Sequence, residues 1–493
     1  MSEYNNNNLN DDSRYESSNN NNNVFSVVKR DKRSNYTKTK NTNSNNYNKY
    51  DKKEIRERVN NNANEYDNYP ILTEEEREDV VQPIDSFDDL RNTGVDENII
   101  RGIFSYGFEK PSPIQARSIR PMLTGIDIIS QAQSGMGKTG AFCIGVLGRI
   151  EQHKDSVQAI ILAHTRELAL QIDSVFRQIS SHTNIRTSLC IKGIPRQENI
   201  ERIQGKSTGS KGRPHIIIGT PGRVNDMLVT RDYITGDYII DLKDIKCLVI
   251  DEADEMLGTN TKAYNRKHDD NNNNTIGFLE QVKKIFRCMP NSVQICLFSA
   301  TMNQEFFELT KQFMRKPIEI LIKTEELTLD GIRQYYINVE QNKYKFDTLC
   351  ALYSLLTINQ SIIYCNSLKQ VEILTNRLKD NDFVVSNIHG KMTSQERELA
   401  MYEFRNGKSR VLISTDLLSR GIDVQQVSVV INYDIPNNIE NYLHRIGRSG
   451  RYGRKGVSIN FITSYDEGKI KAIQEYYSTI IEPLPADIEN LLD

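Results

Sequence analysis

The stretch Ala132-Gln133-Ser134-Gly135-Met136-Gly137-Lys138-Thr139 joins small residues to a lysine and a hydroxyl. Glycines here let backbone N–H groups face a phosphate at the start of a helix. Lys138 has the reach for β- and γ-phosphates, and the Thr139 hydroxyl can ligate Mg2+. A strict phosphate-loop pattern has Gly where Ala132 stands, and the same stretch fits GxGxxG at Gly135, Gly137 and Gly140, which would suit a dinucleotide. Two features favour phosphoryl chemistry. One is the Lys138-Thr139 pair, about which GxGxxG says nothing. The other is Asp251-Glu252-Ala253-Asp254, which ends the apolar run Leu248-Val249-Ile250. A carboxylate at the C-terminal end of a buried strand can hold Mg2+, and a second beside it can polarise water for in-line attack on a γ-phosphate.

Positioning these groups calls for strands that end together. From about residue 86, short β-rich apolar runs alternate with helical stretches. Ile126–Ser130, Gln158–Ala163, His215–Gly219, Lys246–Ile250 and Gln294–Phe298 read as buried strands, and Arg166–Ile179 and Asn303–Met314 as helices. The alternation recurs after residue 333. There Ser361–Tyr364, Phe383–Asn387, Arg410–Ser414, Val427–Asn432 and Gly456–Phe461 read as strands, and Lys369–Leu378 and Ser394–Phe404 as helices. This pattern predicts parallel sheets covered on both faces. Two α/β units therefore follow one another, joined near Lys323–Ile332. Gln204–Arg213 reads as a basic Gly/Ser-rich loop, and Thr259–Thr275 as an inserted loop.

Composition bounds the rest. The chain has 493 residues, enough for two or three domains. Its net charge of -2 excludes a uniformly basic nucleic-acid coat, so a polyanion site must be local. Seven Cys without a CxxC argue against a disulfide framework or a clustered zinc site. No run approaches the length of a membrane span, and the polar N-terminus does not read as a signal peptide, so a soluble protein of a reducing compartment is expected. Residues 1–70 are Asn-rich with few large apolar residues, and are expected to be disordered. The acidic run Glu74–Asp79 is expected to link this tail to the folded part.

The motifs together resemble the DEAD-box RNA helicases, whose name Asp251-Glu252-Ala253-Asp254 spells. The likeness covers about residues 84–493. It includes Gly107-Phe108-x-x-Pro111-x-x-Ile114-Gln115, Thr165-Arg166-Glu167-Leu168-Ala169, Thr220-Pro221-Gly222-Arg223 and Ser299-Ala300-Thr301. In the second unit it includes Ser414-Thr415-Asp416, Arg420-Gly421-Ile422-Asp423 and His444 to Arg451. Within the family, Glu326–Gln334, Gly421–Ser428 and Ile431–Pro436 resemble the translation initiation factor 4A branch most.

The resemblance implies two tandem RecA-like domains, at 84–322 and 333–493, after a tail and linker at 1–83. It implies an RNA-stimulated ATPase using ATP and Mg2+, with Asp251 and Thr139 on the metal and Glu252 activating water. Gln115 would read the adenine edge. Phe87 lies where a family aromatic stacks on the base, with a plain core position as the alternative. Asp423 would touch the ribose, and Arg448 and Arg451 would stabilise charge at the γ-phosphate. Ser299, Thr301 and His444 would couple hydrolysis to closure of the two units. RNA contacts are implied at Thr165, Arg166, Gly193, Thr220, Gly222, Arg223, Asn366, Arg397, Thr415 and Asp416. These are backbone-type contacts, so RNA, single-stranded or locally structured, would be held without strong sequence preference. The expected setting is translation initiation in the cytoplasm, with the nucleus left open, by a monomer that works with a translation scaffold and no membrane. An ATP-gated RNA clamp in an mRNP stays open as the alternative. A double-stranded DNA translocase is disfavoured for want of an appended DNA-reading domain.

Three positions depart from the family pattern. His164 stands where Pro usually precedes Thr165, and reads as a tolerated strand-end residue. Lys192 replaces the first of a Gly-Gly pair, and Ser394 stands where relatives carry Gln.

Overall fold

The computed structural model describes residues 73–132, 135–209, 211–258, 277–302, 304–311, 313–321, 332–356, 358–416, 427–449 and 456–485. The Asn-rich tail, the Thr259–Thr275 insertion and all of the expected junction but Ile332 lie outside these residues, as do Gln133, Ser134, Asp423 and Arg451.

Two sheets carry the fold, each of seven parallel strands. The first contains β1 (Ile128–Gln131), β2 (Ala159–Leu162), β3 (Thr187–Cys190), β4 (Ile216–Gly219), β5 (Cys247–Asp251), β6 (Gln294–Ser299) and β7 (Ile318–Leu321), in the order β3-β4-β2-β5-β6-β1-β7. The second contains β8 (Ile332–Asn338), β9 (Ser361–Tyr364), β10 (Val385–Ile388), β11 (Val411–Ser414), β12 (Val429–Asn432), β13 (Gly456–Ile462) and β14 (Glu482–Pro483), in the order β10-β11-β9-β12-β13-β8-β14. Counted from its own first strand, the second sheet repeats the order of the first. Tandem RecA-like domains are thus present.

Nine of the ten expected strands are interior ones, which helices cover on both faces and which read as unbroken apolar runs, and the tenth, β10, is an edge strand. β3, β7, β8 and β14 escape that pattern. β3 is an edge strand made of Thr187-Ser188-Leu189-Cys190, and β7 is an edge strand that alternates buried and exposed positions. The Arg166–Ile179 helix lies where the sequence puts it. Thr165 caps it by accepting from the Leu168 N–H, and Leu168, Ile172, Val175, Phe176 and Ile179 face the core. The expected start at Ser394 also holds, and the other helix ends shift by one to four residues.

The acidic run departs from expectation. Glu74–Val81 is a helix, started by a reciprocal capping box between Thr73 and Glu76. It belongs to the folded part: Arg77 donates to the Lys316 carbonyl at 3.0 Å, and Val80 packs on the first core. Among the described residues no helix is long and apolar enough to cross a membrane.

Candidate functional site: the carboxyl edges of the two sheets

All strands of each sheet run the same way, so every loop that follows a strand opens on one edge. In the first unit the phosphate loop follows β1, Thr165 follows β2 and Gly193 follows β3. Thr220 to Arg223 follow β4, Glu252 follows β5 and Thr301 follows β6. In the second unit Asn366 follows β9, Thr415 and Asp416 follow β11, and the helix Ile439–Ile446, with His444, follows β12.

The phosphate loop is held from behind. Ser112 Oγ donates to the Met136 carbonyl at 2.7 Å, and Gln115 Nε2 donates to the Gly137 carbonyl at 3.2 Å. Gly137 has φ 91° and lies against Gln115, where a Cβ would sit 2.7 Å from Nε2. It caps the helix Lys138–Leu147 without a side-chain hydrogen bond, so a phosphate can meet the first-turn N–H groups.

Gln115 Oε1 accepts from the Ser112 N–H at 2.9 Å, so the amide serves the loop at both ends. One Nε2 hydrogen and one Oε1 lone pair remain, which is what an adenine edge needs. Phe87 is a correction. It is fully buried, stacked at 6.0 Å on Phe108 and edge-on to Phe104, so it has no open face for a base. It is a core residue. The half-buried Phe108 and the Gln115 amide both flank Gly140, where an added Cβ would lie 2.8 Å from the ring and 2.6 Å from Nε2.

Lys138 Nζ donates to the Ala132 carbonyl at 2.8 Å and is buried. Burial pushes its ammonium below the ordinary value. The carboxylates of Asp251, Glu252 and Asp254 oppose that shift, and the guanidinium of Arg448, from the second unit, adds to it. Asp251 is buried at the end of β5 and accepts from the Glu252 N–H at 3.0 Å. Burial, then the neighbouring Glu252, pushes its carboxyl well above the usual range. The buried Asp251 carboxyl at the end of β5 and the half-buried Thr139 hydroxyl supply oxygen donors of the kind Mg2+ prefers. Glu252 takes a left-handed backbone, φ 50°, where the chain turns from β5 into the helix Ala253–Leu257. Such a strained position persists only when its surroundings fix it.

Asp254 emerges as a hub that its place in the motif alone does not reveal. Thr301 Oγ1 donates to Asp254 Oδ2 at 2.9 Å, and His444 Nε2 lies 3.4 Å from the same oxygen. Ser299 Oγ in turn donates to the Thr301 carbonyl at 2.6 Å. His444 is fully buried, so the residues expected to couple the units meet on one carboxylate.

The residues expected on RNA divide into two groups. Gly193 and Gly222 are exposed, Thr220 and Thr415 are half-buried, and Thr165 is engaged as a cap. Others already have protein partners. Arg223 donates to the Ile194 carbonyl at 2.8 Å and to Asn199 Oδ1 at 2.6 Å. Arg166 pairs with Glu398, and Arg397 pairs with Glu167 at 3.0 Å. These two pairs cross between the units in opposite senses. Asp416 and Asn366 are held by Arg445, a fully buried guanidinium that also donates to the Asp434 carbonyl and to Asn432. Arg445 sits inside the His444–Arg451 motif, and only its burial marks it as the organiser of that edge.

Residues 112–309 match the family model of the DEAD/DEAH box helicases, and residues 344–453 match the helicase conserved C-terminal domain. The chain belongs to the DEAD/DEAH box helicase family. It is 47% identical to eukaryotic initiation factor 4A of Caenorhabditis elegans over 411 residues, 83% of this chain and 94% of that relative. It is 48% identical to the ATP-dependent RNA helicase eIF4A of Kluyveromyces lactis over 408 residues, again 83% of this chain and 94% of the relative. Among solved structures it is similar to Saccharomyces cerevisiae Dbp5 bound to RNA and ADP BeF3. That likeness has a TM-score of 0.70 and 34% identity, and covers 82% of this chain and 97% of the other.

Proposed function

We propose that the chain is an ATP-dependent RNA helicase that clamps RNA and parts short duplexes locally, in cytoplasmic translation initiation like the factor 4A relatives. The observation that carries this reading is the contact of His444, from the second unit, with Asp254 of the first at 3.4 Å, which brings the arginine-bearing motif of the second unit to the edge that holds the phosphate loop. ATP would enter with its phosphates on the loop N–H groups and Lys138, its adenine against Gln115 and its ribose near Asp423. Thr139 and Asp251 would hold Mg2+, which when bound offsets charge on the β- and γ-phosphates. Glu252 accepts the proton of the attacking water, and Arg448 with Arg451 opposes charge growing on the γ-phosphate. Because these arginines belong to the second unit, turnover requires the units to be closed. His444 and Thr301 sense that closure through Asp254.

RNA would lie along the exposed Gly193 and Gly222 and the half-buried Thr220 and Thr415, gripped by amides and hydroxyls. Arg166 and Arg397 would join when RNA phosphate displaces Glu398 and Glu167. Backbone contacts of this kind give little base preference.

The test is phosphate release with and without RNA, for the wild type and for Glu252→Gln. RNA should stimulate turnover. Glu252→Gln should lower it by roughly 10²–10⁴, the usual worth of a general base, while ATP-dependent RNA binding persists. Phosphate release indifferent to RNA, or undiminished in Glu252→Gln, overturns the reading.

A further inference from the structure

His164 does not merely end a strand. β2 and β5 are neighbours in parallel register, with Leu162 opposite Ile250. Carrying that register two residues past the pair sets His164 opposite Glu252. The side chains meet: His164 Nδ1 lies 3.1 Å from Glu252 Oε2. Both are nearly buried, the imidazole 10% and the carboxylate 7% exposed. The contact is within reach of a hydrogen bond but off its line, a looseness common at catalytic contacts before substrate binds. We propose that His164 is a positioning residue for Glu252, its ring holding the carboxylate at the rotation from which it takes the proton of the attacking water. The inference rests on the helicase reading of the site and assigns a role at a position where the family usually has Pro.

Three physical points support it. First, Glu252 sits on a left-handed backbone at a strand–helix turn, and its N–H serves Asp251, so main-chain geometry alone does not fix its side chain. Second, a side chain of this kind needs a partner to select one rotamer, because a misplacement of about 1 Å can cost roughly 10²-fold in rate. Third, an imidazole N–H at Nδ1 can donate to the carboxylate oxygen that it faces at 3.1 Å, which fixes the rotation of that carboxylate. Pro at the same place has no side-chain proton to give. The reaction therefore does not require this contact in every member of the family, and its loss should cost part of the rate.

The experiment is RNA-saturated ATP turnover by the full chain with His164→Ala, His164→Asn and His164→Gln. Ala should lower kcat roughly tenfold, within the range a misplaced group can cost, with the KM for ATP and the RNA concentration for half-activation unchanged. Asn carries its N–H at the position of Nδ1 and should recover most of the loss. Gln places its amide further out and should not. In a Glu252→Gln background, adding His164→Ala should leave ATP-dependent RNA retention unchanged, since the effect passes through the Glu252 base. The proposal is overturned if His164→Ala keeps full kcat, if kcat, KM and RNA activation all worsen together, or if Asn rescues no better than Gln. Should Ala fail to fold, the Asn and Gln variants still decide it: equal kcat in both overturns the proposal. Failure of the helicase reading shows separately, as wild-type turnover that ignores RNA or survives Glu252→Gln.

Discussion

Arg445 concentrates the residue-scale energetics of the second unit. Its guanidinium has no solvent exposure and donates to Asp416, Asn432, the Asp434 carbonyl and Asn366. A buried charge of this kind is tolerable only when every donor is engaged. Removing it leaves a carboxylate and two amides facing one another without their donor. Arg445→Met should therefore destabilise the second unit by about 3–5 kcal/mol, the range seen when one partner of a buried pair is deleted. Urea unfolding of wild type and variant checks this through the midpoint at unchanged slope. Asp416 and Asn366 are held by the same group, so RNA affinity should fall as well, even though Arg445 itself is buried.

Between elements, close approach and helix docking decide. The helices Glu97–Ser105 and Arg166–Ile179 cross at Gly102, where an added Cβ would stand 1.8 Å from the Ile179 carbonyl oxygen. Backbone cannot yield there as a flexible side chain could. Gly102→Ala should cost about 1–3 kcal/mol or more, as overpacking does. Thermal melting of the chain gives the readout, and ATP affinity should be little changed because the crossing lies away from the phosphate loop. The helix Glu74–Val81 offers a second case. Val80 packs on the first core, Arg77 reaches the Lys316 carbonyl, and Asp79 lies 3.5 Å from Arg120. A chain beginning at residue 83 should thus melt lower than one beginning at 73. The difference should be about 1–2 kcal/mol, the worth of one partly buried valine and an exposed polar contact.

At the scale of the whole molecule, the carboxyl edges of the two sheets meet. An arginine acting on the γ-phosphate is worth roughly 10³–10⁵ in rate, so Arg448→Ala should lower RNA-stimulated turnover by that order while the first unit still binds ATP. Nucleotide binding by fluorescence beside steady-state phosphate release separates the two effects. The pairs Arg166–Glu398 and Arg397–Glu167 also cross between the units. Glu398 is half exposed, so its pair contributes at most about 1 kcal/mol. Glu398→Gln frees Arg166 and removes one negative charge from the RNA path. RNA affinity should rise by roughly two- to fivefold at low salt, with the gain shrinking as ionic strength screens it. Titrations at two salt concentrations test that sign.

Local chemistry was readable directly. The order of small residues before Lys138, the carboxylates after an apolar run and the limits of the Arg166–Ile179 helix depend on neighbours within a few residues. Strands written as apolar runs are legible, nine interior ones and the edge strand β10, whereas the interior β8, with its alternating burial, is not. The edge strands β3 and β7 and the helix Glu74–Val81 are not, since half-covered or polar segments lack a one-dimensional pattern distinct from loops. The burial of Phe87, the grip of Arg445, the meeting of Thr301 and His444 on Asp254, and the pairing of Arg166 with Glu398 were decided only by tertiary structure. So was the contact of His164 with Glu252, residues 88 positions apart that parallel register sets side by side. The physical reason is range: motifs and caps are set by covalent neighbours, whereas the partner of a charged side chain is set by strand order and by which edges face one another.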